Sequence, residues 1–171
     1  TYDYYNREDF AVKNTVPTAE GALEIAMREY AGTINGSNCL VAGYGRIGKV
    51  LAWMLRGIGA KVTVSALITS DLAWVELFGY QAVKTDDICD RDQYDLIFNT
   101  IPAIFFNRRM LSKAREGTIL IDLASAPGGV DYEAAEKLGI RVIKALSLPG
   151  RVAPKAAGEI IKNTIYNIKE E

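Results

Sequence analysis

Short apolar runs alternate along the chain with stretches whose apolar residues recur every three or four positions. The runs at 38–42, 61–66, 81–83, 95–99, 118–122 and 141–145 are largely apolar throughout rather than strictly alternating, as strands buried on both faces are. Between them, 49–57 (Val50, Leu51, Met54, Leu55), 71–78, 107–114, 132–138 and a final 155–168 carry helical spacing, and 86–91 reads as a short helix or turn. Upstream, Thr15-Val-Pro-Thr18 is a helix-start signal: Pro17 suits the first turn and hydroxyls are available for capping. Ala22, Leu23, Ala26, Met27 and Tyr30 then make one apolar stripe, ended by Gly32 and Asn35-Gly36. Residues 1–13 are polar and aromatic without clean periodicity (Tyr2, Tyr4, Tyr5, Phe10) and read as an extended linker or one short strand. Strands alternating with helices predict an α/β fold, a doubly wound parallel sheet with linker helices at both ends.

One junction in this pattern carries chemistry. Gly43-Tyr44-Gly45-Arg46-Ile47-Gly48 follows the buried run 38–42 directly and opens the helix ending at Gly57. A G-x-G-x-x-G string alone is weak evidence. Between a strand and a helix, inside a unit of βαβ length, it is the Rossmann-like dinucleotide-binding fingerprint. Gly43 would allow the tight turn, Gly45 the close approach of a diphosphate, and Gly48 the packing of helix on strand. The free amides and positive end of the helix would face the phosphates. Tyr44 reads as a lid or packing residue.

The tip of the second strand discriminates between cofactors. NAD-binding domains place a carboxylate there for the ribose hydroxyls, whereas NADP-binding domains accommodate a 2′-phosphate. Here the window is Ser65-Ala66-Leu67-Ile68-Thr69-Ser70, with no carboxylate before Asp71. Ser65, Thr69 and Ser70 offer hydroxyls, and Arg46 is the nearest cation, so NADP is expected over NAD. An equal alternative is a solvated turn with Ser70 capping the next helix. In an open parallel sheet, ligands bind beyond the carboxyl ends of the strands. Thr100, Ile101 and Pro102 would then line the nicotinamide-side ribose, and Leu123, Ala124 and Ser125 would approach the nicotinamide. Ser125 and Asp122 are the catalytic candidates, with Asp122 also suited to capping the loop that follows it. Arg108 and Arg109 read as a solvated helix face.

Composition narrows the chemistry. The 171 residues are 49% hydrophobic and 24% charged, with 20 Lys and Arg against 21 Asp and Glu. That balance suits one globular domain and provides no field for nucleic acid or an anionic membrane. No apolar run reaches the length of a membrane span. Histidine is absent, so this chain supplies neither a histidine base nor a His-ligated metal, and no metal site is expected. Cys39 and Cys89 form no CxxC pair and read as buried, reduced thiols of a cytoplasmic protein. Thr1 rather than Met opens the chain, which is expected to belong to something longer.

Five strings fall in a telling order: Asn14-Thr-Val-Pro-Thr-Ala-Glu-Gly21, the glycine loop, Asn99-Thr-Ile-Pro102, Asp122-Leu-Ala-Ser125 with Pro127-Gly-Gly129, and Leu148-Pro-Gly-Arg-Val-Ala-Pro154 with Ala157-Gly-Glu-Ile-Ile161. In this the chain resembles the A-subunit family of dipicolinate synthases, over nearly its whole length. The resemblance implies NADP-dependent oxidation of a small dicarboxylate, dihydrodipicolinate or its hydroxylated precursor, to dipicolinate. It implies a partner, a flavoprotein-like B-subunit, in the mother-cell cytoplasm of a spore former. It also implies an amino-terminal substrate domain outside this chain, so that 1–36 would be linker and crossing helix, 37–150 the dinucleotide-binding core and 151–171 a carboxyl-terminal helix. Thr18 and Arg151 are the expected substrate contacts. Two positions depart from the family: Leu67 stands where an arginine is usual, and Ala126 where a basic residue is common. Self-association is left open. A dinucleotide sensor without chemistry is the alternative function, and a D-2-hydroxyacid-type reductase is disfavoured because Pro149-Gly150 stands where its histidine would be.

Overall fold

The structure is a computed structural model that describes residues 4–88 and 93–170. Its centre is a six-stranded, all-parallel sheet in the order β3-β2-β1-β4-β5-β6, with β1 Asn38–Ala42, β2 Lys61–Ala66, β3 Gln81–Lys84, β4 Leu96–Asn99, β5 Ile119–Asp122 and β6 Arg141–Lys144. The order reverses between β1 and β4, so the connections leaving their carboxyl ends run to opposite faces of the sheet and leave a crevice at that rim. Ala42 is in register with Ser65 on one side and Asn99 on the other, and Asn99 with Asp122. All strand carboxyl ends therefore reach one edge of the sheet.

Alternate residues of the central strands feed two cores, as the two-residue period requires. Cys39 and Val41 of β1 join Ala22, Leu51, Leu55 and Phe98 on one face; Leu40 and Ala42 join Ile88, Ile97, Phe106 and Leu111 on the other. The first face is covered by α2 (Thr15–Glu29), α3 (Arg46–Gly57) and α4 (Thr69–Leu77). The second carries the short α5 (Arg108–Leu111) and α6 (Tyr132–Leu138). Burial holds the Cys39 thiol well above its usual range, at about 11, against the small opposing effect of its contact with Ser37. Because the folded value is raised, the stabilisation it gives is complete below about pH 9 and is lost as pH rises through 11. Maleimide treatment of the native protein near neutral pH should leave Cys39 unmodified by peptide mapping and label it only after denaturation; rapid native labelling would contradict this burial. Cys89 lies outside the described residues.

Four expectations from the sequence are corrected. Residues 4–13 are helical rather than extended: a 3-10 turn at Tyr4–Asn6 leads into α1 (Glu8–Lys13). Phe10 is buried and takes an edge-on contact from Tyr4 with centroids 5.4 Å apart. Helix α5 stops at Leu111 instead of Ala114, because the last amides close 3-10-type bonds to Met110 and Leu111. The carboxyl-terminal helix expected at 151–171 is split between two helices, α7 (Leu148–Val152) and α8 (Pro154–Glu170), broken at Ala153, whose backbone (φ −139, ψ 59) leaves the helical region that a following proline disfavours. Ser70 is not a cap: α4 begins at Thr69, and its N-cap residue is Ile68. Among the described residues, no helix is long and apolar enough to cross a membrane.

Candidate dinucleotide-binding site

The three glycines of the loop face three different surroundings. Gly43 has φ +101, and a Cβ there would sit 2.5 Å from Thr100 Oγ1. A Cβ on Gly48 would collide with the Gly43 carbonyl. Both positions are closed by the protein itself. Gly45 is different: its backbone is extended, at φ −79, and no atom of the described residues lies within 4 Å of where its Cβ would be. Its side of the loop is open space in front of the first turn of α3, whose leading amides have no partner inside the helix. That is the cradle a diphosphate needs, and a side chain would fill it.

The loop is held from beneath. The Gly43 amide donates to Ser65 Oγ at 3.2 Å, and Thr100 donates through both its amide and its hydroxyl to the Ala42 carbonyl, at 2.9 and 2.8 Å. Ser65 is fully buried, so the expectation that its hydroxyl serves a 2′-phosphate is corrected: it lies under the loop, because register places it beside Ala42 at the strand end. Ala66 is buried too, while Leu67 (73% exposed), Thr69 and Ser70 stand in solvent at the start of α4. Arg46 is not a free cation. Its guanidinium forms a two-pronged pair with Glu8 of α1, at 2.8 and 2.5 Å, which holds the Glu8 carboxyl below its usual range. Tyr44 is buried against the core, with Lys49 Nζ 5.1 Å from its ring centroid; it packs rather than covers the loop.

In front of the loop lies a cleft of about 430 Å³. Gly45, Arg46 and Ile47 line it from the loop, Thr100 from just past β4 and Ser125 from the loop after β5, while Tyr5, Phe10, Ala11, Asn14 and Thr15 form the opposite wall. The structure thus unites the glycine loop, Thr100 and Ser125 in one cleft. Pro102 is exposed and Ile101 half-buried beside it, whereas Leu123 and Ala124 are buried behind Ser125. Thr18 and Arg151 are not among the residues that line the cleft. Thr18 donates to the Asn14 carbonyl at 2.7 Å within α2, and Arg151 is exposed on α7, which packs against α2. A second cleft, of about 460 Å³, opens at the amino end of β5 and β6, the wrong edge for this fold's ligands.

Asp122 is 1% exposed and spends its oxygens inward. Oδ1 accepts from Asn99 Nδ2 (2.8 Å) and the Ala124 amide (3.2 Å); Oδ2 accepts from the Tyr132 hydroxyl (2.5 Å) and the Gly129 amide (3.3 Å). Asn99 Oδ1 in turn accepts from the Ile101 amide at 3.1 Å. The network ties together the loops leaving β4 and β5, and burial with the Asp122 bond raises the Tyr132 phenol far above its usual range. The roles of Asn99, Tyr132 and Gly129 as partners of Asp122 escape a reading of the linear sequence, since a buried polar network shows only when the strands are aligned. The sole signal was polar Asn99 and Asp122 at the same point of two apolar runs. Tyr5, Phe10, Asn14 and Thr15 were likewise invisible as cleft walls, because their segment lacks periodicity.

A βαβ unit with an open glycine step at the sheet's switch point defines a dehydrogenase cofactor-binding domain. In agreement, residues 13–137 match the family model of the D-isomer specific 2-hydroxyacid dehydrogenase NAD-binding domain, and the chain belongs to that family. Within it, the chain is similar to the dipicolinate synthase A-subunit of Bacillus subtilis (strain 168), with 38% identity over 168 residues, covering 98% of this chain and 57% of that protein. Crystal structures of the dipicolinate synthase A-subunit from Bacillus subtilis and from Bacillus halodurans each superimpose with a TM-score of 0.93 at 38% identity, covering 97% of this chain and 56% and 57% of theirs. The chain therefore spans little more than half the length of these relatives. A transhydrogenase from Sinorhizobium meliloti (TM-score 0.81, 18% identity, 98% of this chain and 56% of that one) shares the fold. The resemblance carried by the five motifs is thus borne out, and the cofactor class is a nicotinamide dinucleotide.

Proposed function

We propose that this chain is the dinucleotide-binding part of an enzyme that oxidises dihydrodipicolinate, or its hydroxylated precursor after loss of water, to dipicolinate with NADP, in assembly with a flavoprotein-like second subunit. The open Gly45 step beside Thr100 and Ser125 carries the reading: it leaves room for a diphosphate at the end of β1 and for a planar substrate against the ends of β4 and β5. Bound, the dinucleotide supplies a hydride acceptor. The substrate loses one hydride and one proton and gains aromaticity, so the protein's task is chiefly to orient it. Residues 43–48 hold the diphosphate through their amides. Thr69 and Ser70, at the amino end of α4, receive the 2′-phosphate in the absence of any carboxylate before Asp71. Thr100, Ile101 and Pro102 line the ribose, and Ser125 orients the substrate. Thr18 and Arg151 serve its carboxylates once the substrate domain of the whole protein closes on the cleft. On this reading the dinucleotide core is 37–150, and the enzyme works in the cytoplasm of the mother cell.

Calorimetric titration should show tighter binding of NADP than of NAD, and Leu67→Arg should tighten NADP about tenfold by pairing with the 2′-phosphate. A preference for NAD in the wild type overturns the cofactor assignment. The whole protein with its substrate domain, NADP, dihydrodipicolinate and the second subunit together should produce NADPH, and this chain without that domain should give little or none. Binding of dinucleotide with no turnover in any combination would instead identify a sensor.

A further inference from the structure

On the first face of the sheet, α3 and α4 bound a groove of about 590 Å³, separate from the cleft described above. Trp53, Trp74, Phe78 and Tyr80 make its walls, and Tyr44, from the glycine loop, lies along it. Trp53 is 62% exposed and Trp74 52%; Trp74 and Phe78 stack on each other with centroids 5.8 Å apart. Helix α4 spreads its apolar residues all round yet buries only Val75, leaving Trp74 and Leu77 in water as well. A helix apolar all round is normally covered on every side, and clustered tryptophan, tyrosine and arginine is the composition of interface hot spots. The groove is also charged in one sense. Lys49 and Arg56 line it, no carboxylate among the described residues does, and both cations are splayed over its tyrosines, Arg56 with its guanidinium 4.8 Å from the Tyr80 centroid.

We infer that this groove docks an acidic, apolar-anchored segment of the second subunit, which rests on the two-subunit reading above. Charge selects the occupant. A second copy of this chain, placed groove to groove about a two-fold axis, would set Lys49 and Arg56 against the same cations, whereas a segment bearing carboxylates around an aliphatic or aromatic anchor pairs with them. Because Tyr44 belongs both to the groove and to the glycine loop, the docked segment lies directly behind the dinucleotide site.

The test is calorimetry of the chain against the purified second subunit. Wild type should bind, more weakly as salt is raised. Trp53→Ser with Trp74→Ser should weaken binding at least a hundredfold and Arg56→Glu at least tenfold, with dinucleotide titrations unchanged; Arg56→Glu, which also gives up a bond to the Phe78 carbonyl, lowers the thermal melt modestly. Leu77→Asp, at a side chain already 73% exposed, should weaken binding as well and keeps the test decisive if the tryptophan pair fails to fold. Wild-type affinity in these variants overturns the docking inference and leaves the two-subunit reading standing. A wild type that does not bind the second subunit overturns both. Sedimentation showing a wild-type dimer that the tryptophan substitutions dissociate assigns the groove to a second copy and overturns the inference.

Discussion

Gly45→Val is expected to weaken nicotinamide dinucleotide binding about 100-fold or more, roughly 2.7 kcal/mol, while the protein stays folded. The physics is asymmetric. At φ −79 the backbone of Gly45 is open to any residue, and its Cβ would meet no atom of the described residues. Only the ligand competes for that volume. The cost to the fold is that of exchanging a tolerated N-cap residue for a poor one, on the order of 1 kcal/mol. Gly48→Ala cannot make the same distinction, since its Cβ runs into the Gly43 carbonyl and loop and affinity would fail together. Fluorescence titration of Gly45→Val, with a thermal melt alongside, decides the matter; unchanged affinity would remove the diphosphate from this loop and with it the proposed function.

Asp122→Ala should be the most destabilising single change in the rim, by about 4 kcal/mol, which for a domain of this size corresponds to roughly 10 °C in Tm. It leaves the Asn99 amide, the Tyr132 hydroxyl and the amides of Ala124 and Gly129 without their acceptor in the interior, each orphaned donor costing on the order of 1–3 kcal/mol. Asp122→Asn keeps the shape but turns one acceptor into a donor facing donors, and should lose about half as much. Dinucleotide affinity should fall in step with stability, because the loops carrying Ile101 and Ser125 lose their common anchor. The competing role for Asp122, proton transfer, predicts the reverse pattern: Asp122→Asn as stable as wild type but without turnover. Thermal melts of the two variants beside a turnover assay separate these outcomes.

Most of the architecture was legible because parallel strands buried on both faces announce themselves as short apolar runs. Runs 38–42 and 61–66 became β1 and β2 without a change of boundary. The misses have local causes. Glu8–Lys13 is a single short helix stabilised by what it touches: Phe10 in the interior, Glu8 on Arg46, and Asp9 on Asn167 of α8 at 3.3 Å. Arg46 and Asn167 lie far from this segment in sequence, so no periodicity reveals the pairs they make with it. The break at Pro154, by contrast, was written in the chain, and reading 151–171 as one helix gave too little weight to a proline inside it.

The cofactor site divides along the same line. Strand, Gly43-Tyr-Gly45-Arg-Ile-Gly48 and helix sufficed to announce a dinucleotide loop, because backbone amides at a bend need only glycines in the right order. Side-chain roles did not follow from order alone. Ser65, Thr69 and Ser70 looked equivalent as three hydroxyls of one turn, yet register buries the first beneath Gly43 and leaves the other two in water. Arg46 looked free until α1 folded back and gave it Glu8. Local geometry is a property of a few adjacent residues and can be read from them. The direction of a side chain, and the partner that consumes its hydrogen bonds, depends on which distant strand or helix arrives beside it, and that was decided only by the fold.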